Sequence, residues 1–290
     1  MGTELDHDKI SPTAKLVAYW RQFTDIPFSK DVAPLFRVED VYKGMFKEDS
    51  GIMAGDIWAP LLELRYKCIQ HYVESQGVKQ VLEFASGISL RGLAMTEDPE
   101  MVYVESDLPG LTQEKERLLN TIMERNGIST RSGLHIHSAN ILHYDEIEPA
   151  LRFFDRTKPL IITHEGLFQY LTRAEKGIAA KNIHRIFSQF KGVWVTPDFD
   201  THESLWGQHL GGERAKKAIE VIRETTNRDF ESNAFADDDD VIQYFSQFGF
   251  KVDTIPQMQA GIKLSSLTEK CPPETQSAID QSRLWVLTIR

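Results

Sequence analysis

The chain lacks the features of several protein classes. It has only two cysteines in 290 residues, Cys68 and Cys271, without CxxC spacing, so neither a disulfide framework nor a zinc site is expected. No apolar run approaches the roughly 18 residues that a membrane-spanning helix needs, and the N-terminus has no signal-peptide pattern. These absences favour a protein of the reducing cytoplasm with no membrane partner.

Clustered positive charge is also absent. The chain has 33 Lys and Arg against 43 Asp and Glu, a formal net charge of −10, and no stretch is rich in Lys or Arg. Binding to nucleic acid or to an anionic membrane needs clustered cations, so neither partner is expected. The composition, 41% hydrophobic and 26% charged, is that of an ordinary globular protein rather than a disordered or fibrous one.

From about residue 79 onward, short apolar runs alternate with stretches of helical periodicity. This alternation predicts a mostly parallel sheet covered by helices. The seven expected strands are 80–84, 101–105, 134–138, 159–163, 192–197, 250–255 and 284–289. We expect one α/β domain over residues 1–290, made of an N-terminal helical cover at 1–76, a core at 79–200, a helical insertion at 200–232 and the C-terminal part of the sheet at 233–290.

The turn after the first strand is a candidate nucleotide site, with Glu83 before it and Gly87 within it. A dinucleotide site requires G-x-G-x-x-G, but the three positions here are Ala85, Gly87 and Leu90. A pyrophosphate cradle is therefore poorly supported. A ligand with adenosine but no phosphate, such as S-adenosylmethionine, needs only one glycine at which the backbone comes close to the ligand.

Polar residues also follow the next three strands. Glu105 and Asp107 lie 22 and 24 residues after Glu83, where acceptors for ribose hydroxyls belong. Asn140 follows the third strand and could contact an adenine edge, and Glu165 follows the fourth. Because ligands of open α/β sheets bind at the carboxyl ends of the strands, these residues predict one shared site.

Three motifs occur in the order of a known family. They are residues 83–91, then Glu105-x-Asp107-Leu108-Pro109 with Lys115 following, then Glu165-Gly166-Leu167-x-x-Tyr170-Leu171-Thr172. Together they resemble the leucine carboxyl methyltransferase family, which includes bacterial O-methyltransferases of polyketide and related secondary metabolism. The N-terminal stretches 13–21 and 31–33 are also similar to its bacterial members, so the resemblance covers roughly residues 11–200.

The resemblance implies a Rossmann-like class I methyltransferase fold whose last strand is antiparallel, with S-adenosyl-L-methionine as cofactor and S-adenosyl-L-homocysteine as product. It implies that Gly87 approaches the cofactor, and that Asp107, with Glu105 near, holds the ribose. Asn140 and Ile141 would bracket the adenine. The predicted cofactor-binding residues are Arg65, Glu83, Ala85, Gly87, Arg91, Glu105, Asp107, Leu108, Asn140, Ile141, Glu165 and Gly166.

Arg65 lies on the apolar face of the helix expected at 56–74. A guanidinium on such a face needs a partner, and a carboxylate that accepts two hydrogen bonds is a good one. The resemblance matches Arg65 to a family arginine that pairs with the cofactor carboxylate, and Glu165 would face the methionine part. The sequence departs from the family where Ala85-Ser86 replaces a glycine-containing dipeptide and where Asn140 stands in place of a frequent Asp.

The predicted reaction transfers a methyl group directly to a hydroxyl or carboxylate of a small-molecule acceptor, a secondary metabolite, while the enzyme aligns the reactants and excludes water. A carboxylate is already ionised at pH 7, whereas a hydroxyl benefits from a base. The candidate bases are His164, Asp198 and His202. The candidate substrate contacts are Tyr19 and Tyr170.

Other functions stay open at this point. A nicotinamide-dependent oxidoreductase is disfavoured by the missing glycines and by the absence of a Tyr-x-x-x-Lys pair. A protein C-terminal carboxyl methyltransferase is the eukaryotic branch of the same family, and a module that keeps the fold without catalysis is the non-enzymatic alternative. No metal is expected, because no carboxylate or cysteine at suitable spacing completes a ligand set with His135, His137 and His143, which alternate along and after a strand.

Overall fold

A computed structural model describes residues 7–46, 55–202 and 230–290. Within them lies a seven-stranded sheet in the order β3-β2-β1-β4-β5-β7-β6. The strands are β1 (Gln80–Phe84), β2 (Val102–Asp107), β3 (Leu134–Ser138), β4 (Leu160–His164), β5 (Gly192–Thr196), β6 (Phe250–Pro256) and β7 (Arg283–Ile289). β7 runs antiparallel to both of its neighbours, β5 and β6, and every other pair is parallel, which confirms the predicted mainly parallel sheet with an antiparallel last strand.

The two central strands show why continuous apolar runs in the sequence predicted the sheet. Every residue of β1 and β4 is buried, because helices cover both faces of the sheet. In the register of this pair, Val81 lies opposite Ile161 and Phe84 opposite His164. Since β1 to β5 are parallel, their carboxyl ends meet at one edge, and the turns after β1, β2, β3 and β4 become neighbours.

The longest described helix, Gly55–Gln76, has 22 residues. The helices are α1 (His7–Arg21), α2 (Ser29–Leu35), α3 (Val38–Phe46), α4 (Gly55–Gln76), α5 (Arg91–Met95), α6 (Pro109–Asn126), α7 (Tyr144–Ile147), α8 (Arg173–Phe187), α9 (Phe230–Asn233), α10 (Asp238–Ser246) and α11 (Pro273–Gln281). None of these described helices is both long and apolar enough to cross a membrane. Most of the helical insertion expected at 200–232 lies outside the described residues.

The apolar core lies on both faces of the sheet. One cluster joins β1, β4 and β5 to α7, α8 and α10, and a second joins the other face to α4 and α11. The N-terminal helices pack at the carboxyl edge, where Ala18, Val32 and Val38 meet Ile88 and Leu90 of the turn after β1. The expected N-terminal cover therefore sits above that turn.

Candidate active site

A cavity of about 740 Å³ follows the carboxyl edge of the sheet from the turn after β3 to the start of β7, roofed by α1 and α4. It brings together most of the residues that the sequence predicts for the cofactor and one of those predicted for the substrate. The predicted residues that line it are Arg65, Glu83, Ala85, Gly87, Asp107, Leu108, Asn140, Ile141, Glu165, Gly166 and Tyr170.

Asp107 fixes the turn after β1. Its Oδ2 accepts a hydrogen bond from the amide of Gly87 at 2.7 Å, and its Oδ1 accepts one from the amide of Leu108 at 2.8 Å. Burial raises the pKa of Asp107, and the two amides oppose that rise. The carboxylate thus closes the turn at the cavity wall, where it could accept further hydrogen bonds from the hydroxyls of a ribose.

Three arginines surround the carboxylate of Glu165. Nη2 of Arg21 lies 2.5 Å from Oε1, Nη2 of Arg91 lies 2.8 Å from Oε2, and Nε of Arg65 lies 3.8 Å from Oε1. Arg21 and Arg65 line the cavity, and the buried Nε of Arg21 has no hydrogen-bond partner in the described part of the chain. Two guanidinium groups on one wall suit the carboxylate of an amino-acid ligand.

Arg21 is a site residue that the sequence reasoning missed. It is the last residue of the N-terminal stretch 13–21 that resembles the family, and that resemblance was the one sign in the sequence that Arg21 belongs to the site. Its side chain reaches Glu165 from a helix 144 residues earlier in the chain, and no periodicity predicts a contact over that distance. The wall therefore carries two arginines, Arg21 and Arg65, where the sequence predicted one.

Arg91 and Glu105, predicted as cofactor contacts, lie behind the wall instead. Arg91 is fully buried and its Nε donates to Oε1 of Glu83 at 3.2 Å. Oε1 of Glu105 accepts from the amide of Gly92 at 2.7 Å, and Oε2 lies 2.8 Å from Nζ of Lys115, also without exposure. These buried ion pairs hold β1, β2 and the start of α5 together, so both residues support the turn without facing a ligand.

The far end of the cavity is lined by the residues that the sequence predicts for the adenine. Leu108 and Ile141 are buried apolar residues of the lining, and Asn140 lies in the turn after β3. Oδ1 of Asn140 accepts from the backbone amide of Leu142 at 3.0 Å, while the backbone amide of Asn140 donates to Oε2 of Glu146 at 2.8 Å. Both bonds fix the loop at this end of the cavity.

The predicted bases His164 and Asp198 lie below the cavity wall. Nδ1 of His164 is 2.9 Å from Oδ2 of Asp198, and the fully buried ring stacks on Phe168 at 4.4 Å. Asp198 also accepts hydrogen bonds from Arg65 and from the amides of Gly166 and Leu167.

These partners decide the chemistry of Asp198. Burial raises its pKa, but the Arg65 guanidinium and the His164 ring outweigh that effect and hold the pKa well below its usual range. A general base must touch the proton that it removes. Because neither side chain lines the cavity, this pair positions Arg65 and the turn after β4 and does not reach an acceptor.

Two further predicted residues lie away from the wall. Tyr19 stacks on Tyr42 of α3 at 4.1 Å, and the neighbouring Trp20 lines the cavity in its place, because successive residues of a helix point about 100° apart. His202 is exposed and outside the cavity lining, with its amide donating to the carbonyl of Phe235. Tyr170 does line the wall, and its hydroxyl donates to Oγ1 of Thr13 at 3.2 Å.

The sequence reasoning also missed the wall beyond β5. Phe199, Asp200 and Trp285 line it there, and Trp20 and Trp58 line the roof. Burial, helped by the charge of Asp198, raises the pKa of Asp200 to about 6. This end of the cavity is therefore aromatic, with one titratable carboxyl group.

Comparison with known proteins identifies the class of enzyme. The family model for leucine carboxyl methyltransferase matches residues 48–184. This match confirms the resemblance and, with it, the predicted enzyme class, an S-adenosylmethionine-dependent methyltransferase, and the predicted cofactor. No curated protein sequence matches the chain.

Solved structures resemble the fold at low sequence identity. A DUF574 family protein from Streptomyces avermitilis MA-4680 is 12% identical with a TM-score of 0.55, and the match covers 96% of this chain and 97% of that one. A magnesium protoporphyrin IX methyltransferase from Synechocystis PCC 6803, solved with bound S-adenosylhomocysteine, is 8% identical with a TM-score of 0.48, covering 87% and 94%. The chain has the predicted Rossmann-like fold of class I methyltransferases.

Proposed function

Because the chain resembles the leucine carboxyl methyltransferase family over residues 48–184, we propose that it is an O-methyltransferase acting on a small molecule, a secondary metabolite. The acceptor group would be a hydroxyl or a carboxylate. The observation that carries the proposal is the single cavity of about 740 Å³ shared by Asp107, Asn140, the two wall arginines and an aromatic end. Such a cavity has separate regions for a cofactor and for an acceptor.

The residues that line one part of the cavity suit the cofactor. Arg21 and Arg65 would pair with the cofactor carboxylate, and Asp107 would accept from the ribose hydroxyls. Leu108 and Ile141 would hold the adenine between apolar surfaces. When bound there, S-adenosylmethionine supplies a methyl group on a positively charged sulfur.

The other end of the cavity suits the acceptor. Its aromatic residues lie in the roof, after the end of β5 and at the start of β7. An apolar acceptor would displace water from them. The chain's contribution to the reaction would be alignment of the acceptor oxygen with the methyl group and exclusion of water. The apolar, aromatic lining at this end favours an apolar small molecule as the acceptor.

Transfer of a labelled methyl group tests this proposal. The purified chain is incubated with methyl-labelled S-adenosylmethionine and panels of small hydroxyl and carboxyl compounds, beside a C-terminal leucine peptide. We expect label in a small-molecule product and a loss of about tenfold or more in the Asp107→Ala variant. Asp253→Ala, which removes an exposed carboxylate of β6, is the matched control and should act like the wild type.

Two results would contradict the proposal. Labelling of the leucine peptide alone would identify a protein carboxyl methyltransferase. Failure of the folded chain to bind the cofactor at all would favour a non-catalytic module that keeps the fold.

A further inference from the structure

We propose that Asp200 is the general base for an aromatic hydroxyl acceptor, so that the enzyme methylates phenols and rejects aromatic carboxylates. The inference rests on the proposed function, because it assigns the acceptor to the same cavity. It goes beyond that function by naming the acceptor class and the residue that removes its proton.

The backbone holds Asp200 in place on the wall just beyond β5. Its amide donates to the carbonyl of Asp198 at 3.0 Å, and its carbonyl accepts from the amide of Phe235 at 2.9 Å. The next residue, Thr201, forms a β-bridge with Phe235. The side chain therefore projects from a fixed segment at the aromatic end of the cavity.

Asp200 differs from the other carboxylates that line the cavity. Glu83 accepts from Arg91 and Tyr103, Asp107 accepts from two amides, and Glu165 faces the arginines. Asp238 also has a partner. The side chain of Asp200 makes neither a hydrogen bond nor an ion pair with the described part of the chain, so its oxygens are left for a ligand.

The charges around Asp200 suit a base. Burial is the main cause that raises its pKa to about 6, and the nearby Asp198 adds to the rise. Arg65 from α4 and Lys176 from α8 act in the opposite direction. A carboxyl group of this pKa is ionised at neutral pH and is a stronger base than an ordinary aspartate, which is the condition for general-base catalysis.

The surrounding surface selects an apolar, planar acceptor. Phe199 and Trp285 flank this end of the cavity with ring centroids 5.8 Å apart, and Trp20 and Trp58 stack at 5.5 Å in the roof. A carboxylate placed here would lose its hydration and lie against the ionised Asp200, while the nearby Arg65 is already paired with Asp198 and Glu165. A phenol can donate its proton to the same group.

The proposed step balances with the groups named. Asp200 takes the proton from the phenol oxygen as that oxygen forms a bond to the methyl carbon. The carbon–sulfur bond breaks, and its electron pair stays on sulfur. The products are the methyl ether, S-adenosylhomocysteine and a protonated Asp200, which then loses its proton to water.

Binding of matched probes tests the acceptor class. The chain is saturated with S-adenosylhomocysteine and titrated calorimetrically at pH 8 with 2-naphthol, 2-naphthoate and the 2-naphthylmethylammonium ion. We expect 2-naphthol to bind best, and Asp200→Asn to raise the affinity for 2-naphthoate about tenfold or more by removing the opposing charge. Asp239→Asn, an exposed carboxylate of α10 outside the wall, should change none of these affinities.

Kinetics test the role of the base. Transfer to 2-naphthol by the wild type should decline below about pH 6, as Asp200 becomes protonated. Asp200→Asn should lower kcat about a hundredfold or more, leave KM within a few-fold and abolish the acid decline. Asp200→Glu should restore part of the rate, because it restores a carboxylate.

Each opposing result has a distinct meaning. Tighter binding of 2-naphthoate or of the ammonium probe, or binding of none of the three, would overturn the acceptor class. An unchanged kcat in Asp200→Asn would overturn the base. Failure of S-adenosylhomocysteine itself to bind would instead overturn the proposed function.

Discussion

Ala85 adopts a left-handed backbone conformation, with φ of 50°, immediately before the close approach at Gly87, where φ is 52°. An L-residue in this region is disfavoured by about 1–2 kcal/mol because its Cβ crowds the backbone. The family has a glycine-containing dipeptide at this position, so the chain keeps the turn and carries the strain. The alanine therefore lowers the stability of the turn but does not prevent the turn from forming.

Replacing Ala85 with glycine should relieve that strain. We expect Ala85→Gly to raise the free energy of unfolding by about 0.5–1 kcal/mol, measured by urea denaturation, since glycine tolerates a positive φ. The reciprocal variant Gly87→Ala should lose about 1 kcal/mol or more, although its new methyl group would have room 3.7 Å from Cβ of Ala14. A less stable Ala85→Gly variant would contradict this explanation.

Arg65 is expected to recognise the amino-acid part of the cofactor. Arg65→Met should weaken S-adenosylhomocysteine about tenfold to a hundredfold, because a charge-assisted hydrogen bond contributes about 1.5–3 kcal/mol. It should leave the affinity for 5′-methylthioadenosine unchanged, since that compound has no carboxylate. Calorimetric titration with both ligands measures the difference.

Lys67→Met is the matched control for Arg65. Lys67 lies on the same helix but pairs with Asp25 and Glu63, away from the cavity. Its loss should leave both affinities unchanged. Equal weakening of the two ligands by Arg65→Met would mean that the arginine only supports the site through Asp198 and Glu165.

Single side chains were the hardest feature to predict. Asp198 and Asp200 look alike in the sequence, and only the first meets Arg65, which lies 133 residues earlier in the chain. That long-range contact makes Asp198 a weak base and leaves Asp200 as the titratable group. Tyr19 and Trp20 are adjacent and both aromatic, so the sequence did not reveal which of them faces the cavity.

Strands and helix caps could be predicted because residues close together in the sequence determine them. Buried parallel strands give continuous apolar runs, and all seven predicted strands match the structure within about two residues at each end. The N-terminal cap of α8 is also a local feature of the sequence. Oγ1 of Thr172 accepts from the amide of Glu175, while Oε2 of Glu175 accepts from the amide of Thr172 at 2.7 Å.

The cap of α8 should contribute measurably to stability. Thr172→Ala removes the hydroxyl that satisfies one of the free amides of the first turn, so we expect a loss of about 1 kcal/mol in the free energy of unfolding. Thr121→Ala is the control, because that hydroxyl donates to the carbonyl of Arg117 on an exposed helix surface. Equal effects of the two changes in urea denaturation would argue against a role for the cap.

The cavity depends on how the N-terminal helices meet the sheet. The sheet edge alone supplies the carboxylates and the turns, while α1 and α4 bring Arg21, Arg65 and the roof tryptophans above them. The succession of strands along the chain and the spacing of the motifs predicted that the polar residues after the strands meet at one sheet edge. The sequence could not predict the roof, because helices that are apolar on several sides do not specify which residues face inward.

The central claim, that this cavity is an S-adenosylmethionine site, is tested most directly by calorimetric titration of the purified chain. S-adenosylmethionine, S-adenosylhomocysteine and NAD are titrated separately into the wild type and into Asp107→Ala. We predict micromolar binding of the first two ligands, none of NAD, and a loss of about tenfold or more in the variant. Binding of NAD, or the absence of heat with both S-adenosyl ligands in a folded sample, would contradict the account.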